Sequence, residues 1–457
     1  MPRRLNTWQA AIVIPVAHKD KPREKALEIL NRVETGAFAD SLLDQARQAF
    51  DARDNAFILE LVYGTLRNRT LLDWTLNQFS KQSLAKTDAW TRNILRLGAY
   101  QMLFLDKIPV SASVNTAVDL AKDHGNKSSY VNGLLRNLDR KRASIGSPGP
   151  YDPVKRLSIL HSHPEWLVMR WVKRFGEETA ERLLRENNRP APLIVRANTL
   201  KTTRDQLKAS LEAEGAATIE TAYSSVGLEI ISSPGLRSLT AYVQGWFMVQ
   251  DQAAQLISLM LGPRPGETVL DACAAPGGKA THLAELMENR GKVIALESDQ
   301  GRLGRIRENS TRLGITIISP VRGDAMKYQE GRFDKVLIDA PCSGLGVLRR
   351  HPDGRWNKNE KTIRERAVLQ RGILENCASL LKPRGALVYA TCTTEPEENE
   401  EVINSFLAEH SEFAREGPQQ FLPASTARLV DDKGFFRTFP DEPAMDGFFG
   451  VRLIKHS

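Results

Sequence analysis

Apolar residues recur at helical spacing from Pro22 to about Arg142. Ala26, Leu27, Leu30 and Val33 form one stripe, Phe57, Ile58, Leu61 and Val62 a second, and Ile94, Leu95, Leu97 and Leu103 a third. Strand-like alternation is scarce there, so residues 20–145 are predicted to form an all-α domain. The run Ser144-Ile145-Gly146-Ser147-Pro148-Gly149-Pro150 reads as a linker. Beyond it, Ser162 or His163 caps a predicted amphipathic helix with Pro164 in its first turn. Leu193 to Val195 and Leu228 to Ile231 read as short strands around a helix from Thr203 to Glu214 that Gly215 ends. These make a small α/β module over residues 151–245.

The pattern changes again near Gly266. Short apolar runs at Thr268–Ala272, Lys292–Glu297, Ile315–Val321, Lys335–Asp339 and Ala386–Ala390 read as buried strands, with helices such as 303–313 and 363–381 between them. That alternation predicts a third domain, 246–457, in which helices cover both faces of a mostly parallel, Rossmann-like sheet. Ligands of such sheets bind beyond the carboxyl ends of the strands.

Composition narrows the choice of partner. Lysine and arginine number 63 against 55 acids, giving a formal charge of +8, which suits a polyanion such as RNA. Arg67, Arg69, Arg136, Arg140, Lys141 and Arg142 dot the polar faces of the helical domain. The four cysteines, at 273, 342, 377 and 392, contain no CxxC pair, which argues against a zinc site and a disulfide framework and leaves free thiols suited to a reducing cytosol. The apolar stretch Ala10 to Ala17 is short and broken by Pro15, so it is not read as a leader, and no run approaches the ~20 apolar residues of a membrane span. A monomeric cytoplasmic protein is expected.

The chemistry-bearing residues stand at the predicted strand ends. Asp271-Ala272-Cys273-Ala274-Ala275-Pro276-Gly277-Gly278-Lys279 leads from a strand into a helix. Glycines allow close backbone approach, and the helix start offers unpaired N–H groups. A phosphate-binding P-loop is excluded because Cys273 and Ala280 occupy its glycine and hydroxyl positions, and the GxGxxG fingerprint is absent. A zwitterion such as the methionine end of S-adenosylmethionine fits instead, with Lys279 serving its carboxylate and Asp271 its amine or the loop. Glu297 is placed to accept ribose hydroxyls, and Asp324, in Gly323-Asp324-Ala325, to bond the adenine amine.

Two further strands end in Ile338-Asp339-Ala340-Pro341-Cys342-Ser343-Gly344 and Ala390-Thr391-Cys392-Thr393-Thr394-Glu395. Side by side, they would point both thiols into one crevice. Carbon 5 of cytosine is a poor nucleophile, and a thiolate added to carbon 6 activates it. Asp339 is placed to stabilise the charge that develops on the ring, and a second thiol to assist expulsion of the first. Cys377, in an apolar helical run, reads as packing.

Together DACAAPGGK, IDAPCSG and ATCTTEPEENE resemble the RNA cytosine-5 methyltransferase family. The resemblance extends from Val195-Arg196-Ala197-Asn198-Thr199-Leu200 to Asp446-Gly447-Phe448-Phe449 and includes Arg349-Arg350-His351-Pro352-Asp353 with Arg355-Trp356. The helical domain, with Gly36-Ala37-Phe38-Ala39 and Glu60-Leu61-Val62-Tyr63-Gly64, is similar to NusB-type RNA-binding domains, a combination like that of bacterial RsmB (Sun/Fmu) 16S ribosomal RNA enzymes. The resemblance implies Cys392 as nucleophile and Cys342 in product release. It also implies cofactor contacts by Cys273 to Lys279, Glu297, Asp324 and Asp339. An aspartate is common where Glu297 stands, with Asp299 as a fallback. Arg349, Arg350 and Arg355 are expected to meet RNA phosphates. A transfer RNA cytosine-5 methyltransferase and a non-catalytic RNA-binding assembly factor are the competing readings.

Overall fold

The computed structural model describes residues 20–125, 127–149, 152–442 and 445–456; the stretch Ala10 to Ala17 lies outside them. The chain divides after Ile145 into two compact units.

The first unit is helical among its described residues: α1 (Lys21–Glu34), α2 (Ala39–Ala46), α3 (Ala52–Arg67), α4 (Arg69–Phe79), α5 (Ala89–Phe104), α6 (Val110–Asp123) and α7 (Ser128–Arg140). Asp20, Asp51 and Asp88 accept from first-turn amides and start α1, α3 and α5. The three apolar stripes supply the core, with Leu27, Leu30, Leu61 and Leu95 all sealed. Arg96, 3% exposed, ties α5 to Glu34 of α1 at 2.5 Å and Asp73 of α4 at 2.6 Å. Arg136, Arg140, Lys141 and Arg142 are exposed, whereas Arg67 and Arg69 are half-buried.

The second unit opens with α8 (Pro153–Leu160), α9 (Glu165–Phe175) and α10 (Glu177–Glu186). Pro164 stands at the cap of α9 rather than in its first turn, and the backbone of Ser162 just before it takes φ 55°. Then come β1 (Leu193–Ala197), α11 (Arg204–Ala213), β2 (Ala217–Glu220), β3 (Gly227–Ser232), α12 (Thr240–Val243) and β4 (Phe247–Val249). A capping box between Thr203 and Gln206 starts α11. The strands pair antiparallel in the order β2-β3-β1-β4. The fourth strand lies beyond residue 245, where the pattern placed the end of the module.

The remaining elements are α13 (Gln252–Leu261), β5 (Thr268–Ala272), α14 (Gly278–Leu286), β6 (Lys292–Glu297), α15 (Gln300–Leu313), β7 (Ile318–Arg322), β8 (Phe333–Asp339), α16 (Glu360–Ser379), β9 (Leu381–Thr391), α17 (Glu400–Glu409), β10 (Phe413–Glu416), β11 (Phe436–Arg437) and β12 (Phe449–Lys455). Sheet order is β10-β12-β9-β8-β5-β6-β7, with β11 paired to β12. The five strands from β5 to β9 run parallel, and β10 to β12 pair antiparallel at one edge.

Alternate strand residues enter two cores. Val269, Leu337 and Val388 pack with Ile257 of α13 and Leu283 of α14, while Leu270, Ile338 and Leu387 pack with Leu374 of α16 and Phe406 of α17. Burial on both faces explains why these strands read as continuous apolar runs. Their parallel pairing brings the carboxyl ends of β5, β6, β8 and β9 to one edge, where the unusual residues lie.

Candidate active site

The loop after β5 is held from several sides. Gly277 takes φ +98°, and a Cβ there would sit 3.3 Å from the Ile306 backbone, so glycine permits the close crossing over α15. From α15, Arg302 and Asn309 donate to the carbonyls of Ala275 and Pro276 at 3.1 and 3.0 Å. Across from them, the fully buried Arg196 of β1 donates to the Gly278 carbonyl at 2.8 Å and to Glu285 of α14 at 2.6 and 3.0 Å.

Asp271 is wholly buried, and neither carboxylate oxygen has a hydrogen-bond partner. Burial pushes its carboxyl well above the ordinary range, and the charge of Asp339 adds to this. Glu297 is 4% exposed; its Oε1 accepts from the Asp299 amide at 3.0 Å, while Oε2 lacks a hydrogen bond and faces Arg302 at 3.4 Å. Asp299 is committed as the cap of α15, accepting from the Arg302 amide at 2.9 Å, so the geometry favours Glu297 over that fallback. Asp324 is exposed and accepts from the Met326 amide at 2.9 Å. An amine beside Asp271 and a hydroxyl beside Glu297 would satisfy the orphaned oxygens, and S-adenosylmethionine carries both. Its carboxylate suits the amides at the start of α14. The residues fit that group.

β8 and β9 are parallel neighbours, which brings Cys342 Sγ to 3.2 Å from Cys392 Sγ. Both side chains are partly accessible, whereas Cys377 is sealed and its thiol is pushed up to about 12 by burial. Cys273 packs against the α16-side core, where burial and then Cys377 raise its thiol. The hydrogen bond from Cys342 lowers the Cys392 thiol against the effect of burial; the same bond, then burial, lifts Cys342 well above its ordinary value. The neighbouring thiol is thus the largest influence on Cys392. Lys279 Nζ lies 2.7 Å from Asp339 Oδ2 and 5.3 Å from the centre of the Phe448 ring. Burial opposes its charge, but Asp339 outweighs this and holds the ammonium above its ordinary range.

Residues to which the sequence assigned no role hold these strand ends in place. Buried Glu398 accepts from the Ser343 amide at 2.7 Å and from Gln370 at 3.0 Å, while Asn399 bonds Thr391 Oγ1 at 2.6 Å and the Thr393 carbonyl at 3.0 Å. Trp171 donates to Glu395 at 3.0 Å, and Arg170 binds both Glu395 and Glu397. Lys358 donates to the Ser343 carbonyl.

The expectation of phosphate contacts fails for the buried Arg349 and Arg355. Arg349 is 4% exposed and bonded to Asp446 at 2.6 Å, and Arg350 ion-pairs with Asp446 and, at 2.9 Å, with Asp251. Arg355 is fully buried and donates to Asn188 Oδ1 at 2.6 Å and to the Ser162 and Asn187 carbonyls. Arg349 and Arg355 hold loops together inside the unit, where phosphate cannot reach them, and Arg350, partly exposed, is committed to two carboxylates.

Residues 258–454 match the family model described as 16S rRNA methyltransferase RsmB/F, residues 20–140 the NusB family, and residues 163–235 the ferredoxin-like domain of RsmF/B-like methyltransferases. The chain is 38% identical over 451 residues to a probable ribosomal RNA small subunit methyltransferase B of Bacillus subtilis, covering 96% of this chain and 99% of that protein. The chain belongs to the RsmB family. A relative from Vibrio cholerae, ribosomal RNA small subunit methyltransferase B, is 34% identical across 93% of this chain and 94% of its own. Among solved structures, that of PH0851 superposes with a TM-score of 0.80 at 31% identity, over 95% of this chain and 98% of that one. A methyltransferase homologue from Pyrococcus horikoshii gives 0.57 at 30% identity, over 67% of this chain and all of that one. As a member of this family the chain is an S-adenosylmethionine-dependent RNA methyltransferase acting on ribosomal RNA. Among the described residues no helix is long and apolar enough to cross a membrane.

Proposed function

We propose that this enzyme methylates carbon 5 of cytosine in 16S ribosomal RNA through a covalent adduct on Cys392, as a monomer in the cytoplasm. The observation that carries this reading is the 3.2 Å approach of Cys342 and Cys392 in the crevice where Lys279 pairs with Asp339. In it, residues 20–145 add RNA contact, 151–245 support the catalytic unit, and 246–457 perform the transfer.

The Cys392 thiolate adds to carbon 6 of a cytosine freed from its helix, since a stacked base is out of reach. Asp339 bonds the ring nitrogen and exocyclic amine, and Lys279 keeps a proton one hydrogen bond away from that carboxyl. S-adenosylmethionine, when bound, supplies an electrophilic methyl group. Asp271, the loop from Cys273 to Lys279, Glu297 and Asp324 hold it, through amine, carboxylate, ribose and adenine contacts respectively. Cys342 then assists loss of the carbon 5 proton, directly or through water, so that the carbon–sulfur bond breaks and Cys392 departs as thiolate.

The test incubates wild-type protein, Cys392→Ala and Cys342→Ala with methyl-labelled cofactor and unmodified 16S or transfer RNA. Label should enter cytosine of 16S RNA, vanish in Cys392→Ala, and in Cys342→Ala accompany a protein–RNA adduct that survives denaturation. Transfer RNA as the sole acceptor would overturn the substrate assignment. Methylation by Cys392→Ala would overturn the mechanism, and no transfer to any RNA would point to an assembly factor.

A further inference from the structure

Lys358 belongs to none of the motifs, yet it stands at the reacting sulfur. It lies between a 3-10 turn, Pro352–Arg355, and α16. Its ammonium donates to the Ser343 carbonyl, one residue past Cys342. Next in the chain is Gly344, with φ +67°. A Cβ on Gly344 would lie 3.2 Å from Lys358 Nζ and 4.0 Å from Cys392 Sγ. The ammonium and the thiol therefore flank the same narrow gap, which a side chain would close. Gly354 opens the other side, where a Cβ would be 3.3 Å from the same nitrogen.

Four groups act on Cys392: the Cys342 thiol, Asp339 from the end of β8, Lys279 from α14, and Lys358 from the loop before α16. Asp339 opposes a thiolate and Lys279 favours it, but these two ion-pair at 2.7 Å, so their fields at the sulfur largely cancel. Lys358 has no carboxylate within ion-pair distance among the described residues, so its charge is left unneutralised. Resting on the reading of Cys392 as nucleophile, we propose that Lys358 is a positioning residue that holds Cys392 as thiolate across the Gly344 gap. One side chain thereby fixes the Cys342 turn through Ser343 and adds to what the Cys342 thiol does for the charge of the opposing sulfur. Once the sulfur bonds to a base, its charge is gone, so the help is given to the attacking form and to the leaving group at product release.

The test is the pH dependence of Cys392 alkylation by iodoacetamide in the full-length protein, read by mass spectrometry of the Cys392 peptide, together with kcat and KM for methyl transfer. Lys358→Met should raise the midpoint by about one pH unit, so that alkylation slows about tenfold below the plateau, and kcat should fall with little change in KM. Lys358→Arg should restore most of both. Gly344→Ala, which keeps the lysine but fills the gap, should shift the midpoint the same way and serves if Lys358→Met does not fold. An unchanged midpoint in whichever of these two variants folds, or loss of kcat that arginine does not rescue, would overturn the proposal. Cys392→Ala that still transfers methyl would instead remove the nucleophile reading, and the alkylation midpoints would still report on Lys358.

Discussion

Cys342 Sγ and Cys392 Sγ meet at 3.2 Å although fifty residues separate them in sequence. The parallel pairing of β8 with β9 puts Asp339 opposite Ala390 and brings the loops that follow together. A thiol that donates to its neighbour stabilises the neighbour's anion, which is why the Cys392 thiol falls while Cys342 rises. Replacing Cys342 with alanine removes that donor. The alkylation midpoint of Cys392 should then rise, with several-fold slower reaction at neutral pH, and Cys342→Ser should restore part of the shift because a hydroxyl also donates. A midpoint that stays put in Cys342→Ala would show that the sulfur contact does not set the charge.

Asp271 sets binding against stability. Its buried carboxyl has no hydrogen-bond partner, and burial raises its pKa well above the ordinary value. The folded state therefore holds the proton more tightly than the unfolded chain. Stability of the unliganded protein declines as pH rises from the unfolded carboxylate pKa of about 4 towards the raised folded value. Asp271→Asn should abolish that decline and melt at the same or a higher temperature near neutral pH. It should also bind S-adenosylmethionine about tenfold or more weakly, because a charge-assisted hydrogen bond is worth about 1.5–3 kcal/mol. Thermal melts across pH and calorimetric titration with the cofactor measure both. Unchanged affinity would remove Asp271 from the cofactor site.

Much of the site was legible because its chemistry sits in contiguous motifs at strand ends. Cys273 to Lys279, Asp339 with Cys342, and Cys392 each announce themselves within a few residues, and the structure brings the thiols, Asp339 and Lys279 together. The parallel strands were legible for a related reason: burial on both faces leaves uninterrupted apolar runs. Strands β10 and β11 escaped notice because they are short and half-polar, and β12 because the buried Arg452 interrupts its apolar run. Lys358 and Glu398 act on Ser343 from 15 and 55 residues away, so no local spacing reveals either contact, although Glu398 lies within the ATCTTEPEENE run. The arginines at 349, 350 and 355 misled for the opposite reason. A cluster of cations looks the same in sequence whether it faces phosphate or buried carboxylates and carbonyls.

Arg196 shows how far the support reaches. From β1 it spans to Glu285 at 2.6 Å and to the Gly278 carbonyl at 2.8 Å, with no exposure to solvent. Removing one member of a buried pair strands the other, at about 3–5 kcal/mol. Arg196→Met should lower the unfolding midpoint of the catalytic unit accordingly and weaken cofactor binding, since the start of α14 loses its anchor. The double variant Arg196→Met, Glu285→Leu should recover much of the stability but not the affinity. Recovery of both would mean that the contact to Gly278 is dispensable.

The buried arginines separate stability from RNA affinity. Each phosphate neutralised by a cation steepens the fall of binding with salt by about one unit on logarithmic axes. Arg355 lies wholly inside the unit and donates to Asn188 and two backbone carbonyls, so it releases no counterion when RNA binds. Arg355→Met should therefore leave the salt slope of RNA binding unchanged while lowering the urea midpoint, because polar groups at Ser162, Asn187 and Asn188 lose their donor at about 1–3 kcal/mol each at most. Exposed Arg140 on α7 offers the contrast. If the helical unit meets RNA through that face, Arg140→Gln should reduce the slope by about one unit and leave the urea midpoint alone. A reduced slope in Arg355→Met would mean that its loop opens on the substrate, and the assignment of this cation to internal packing would fall.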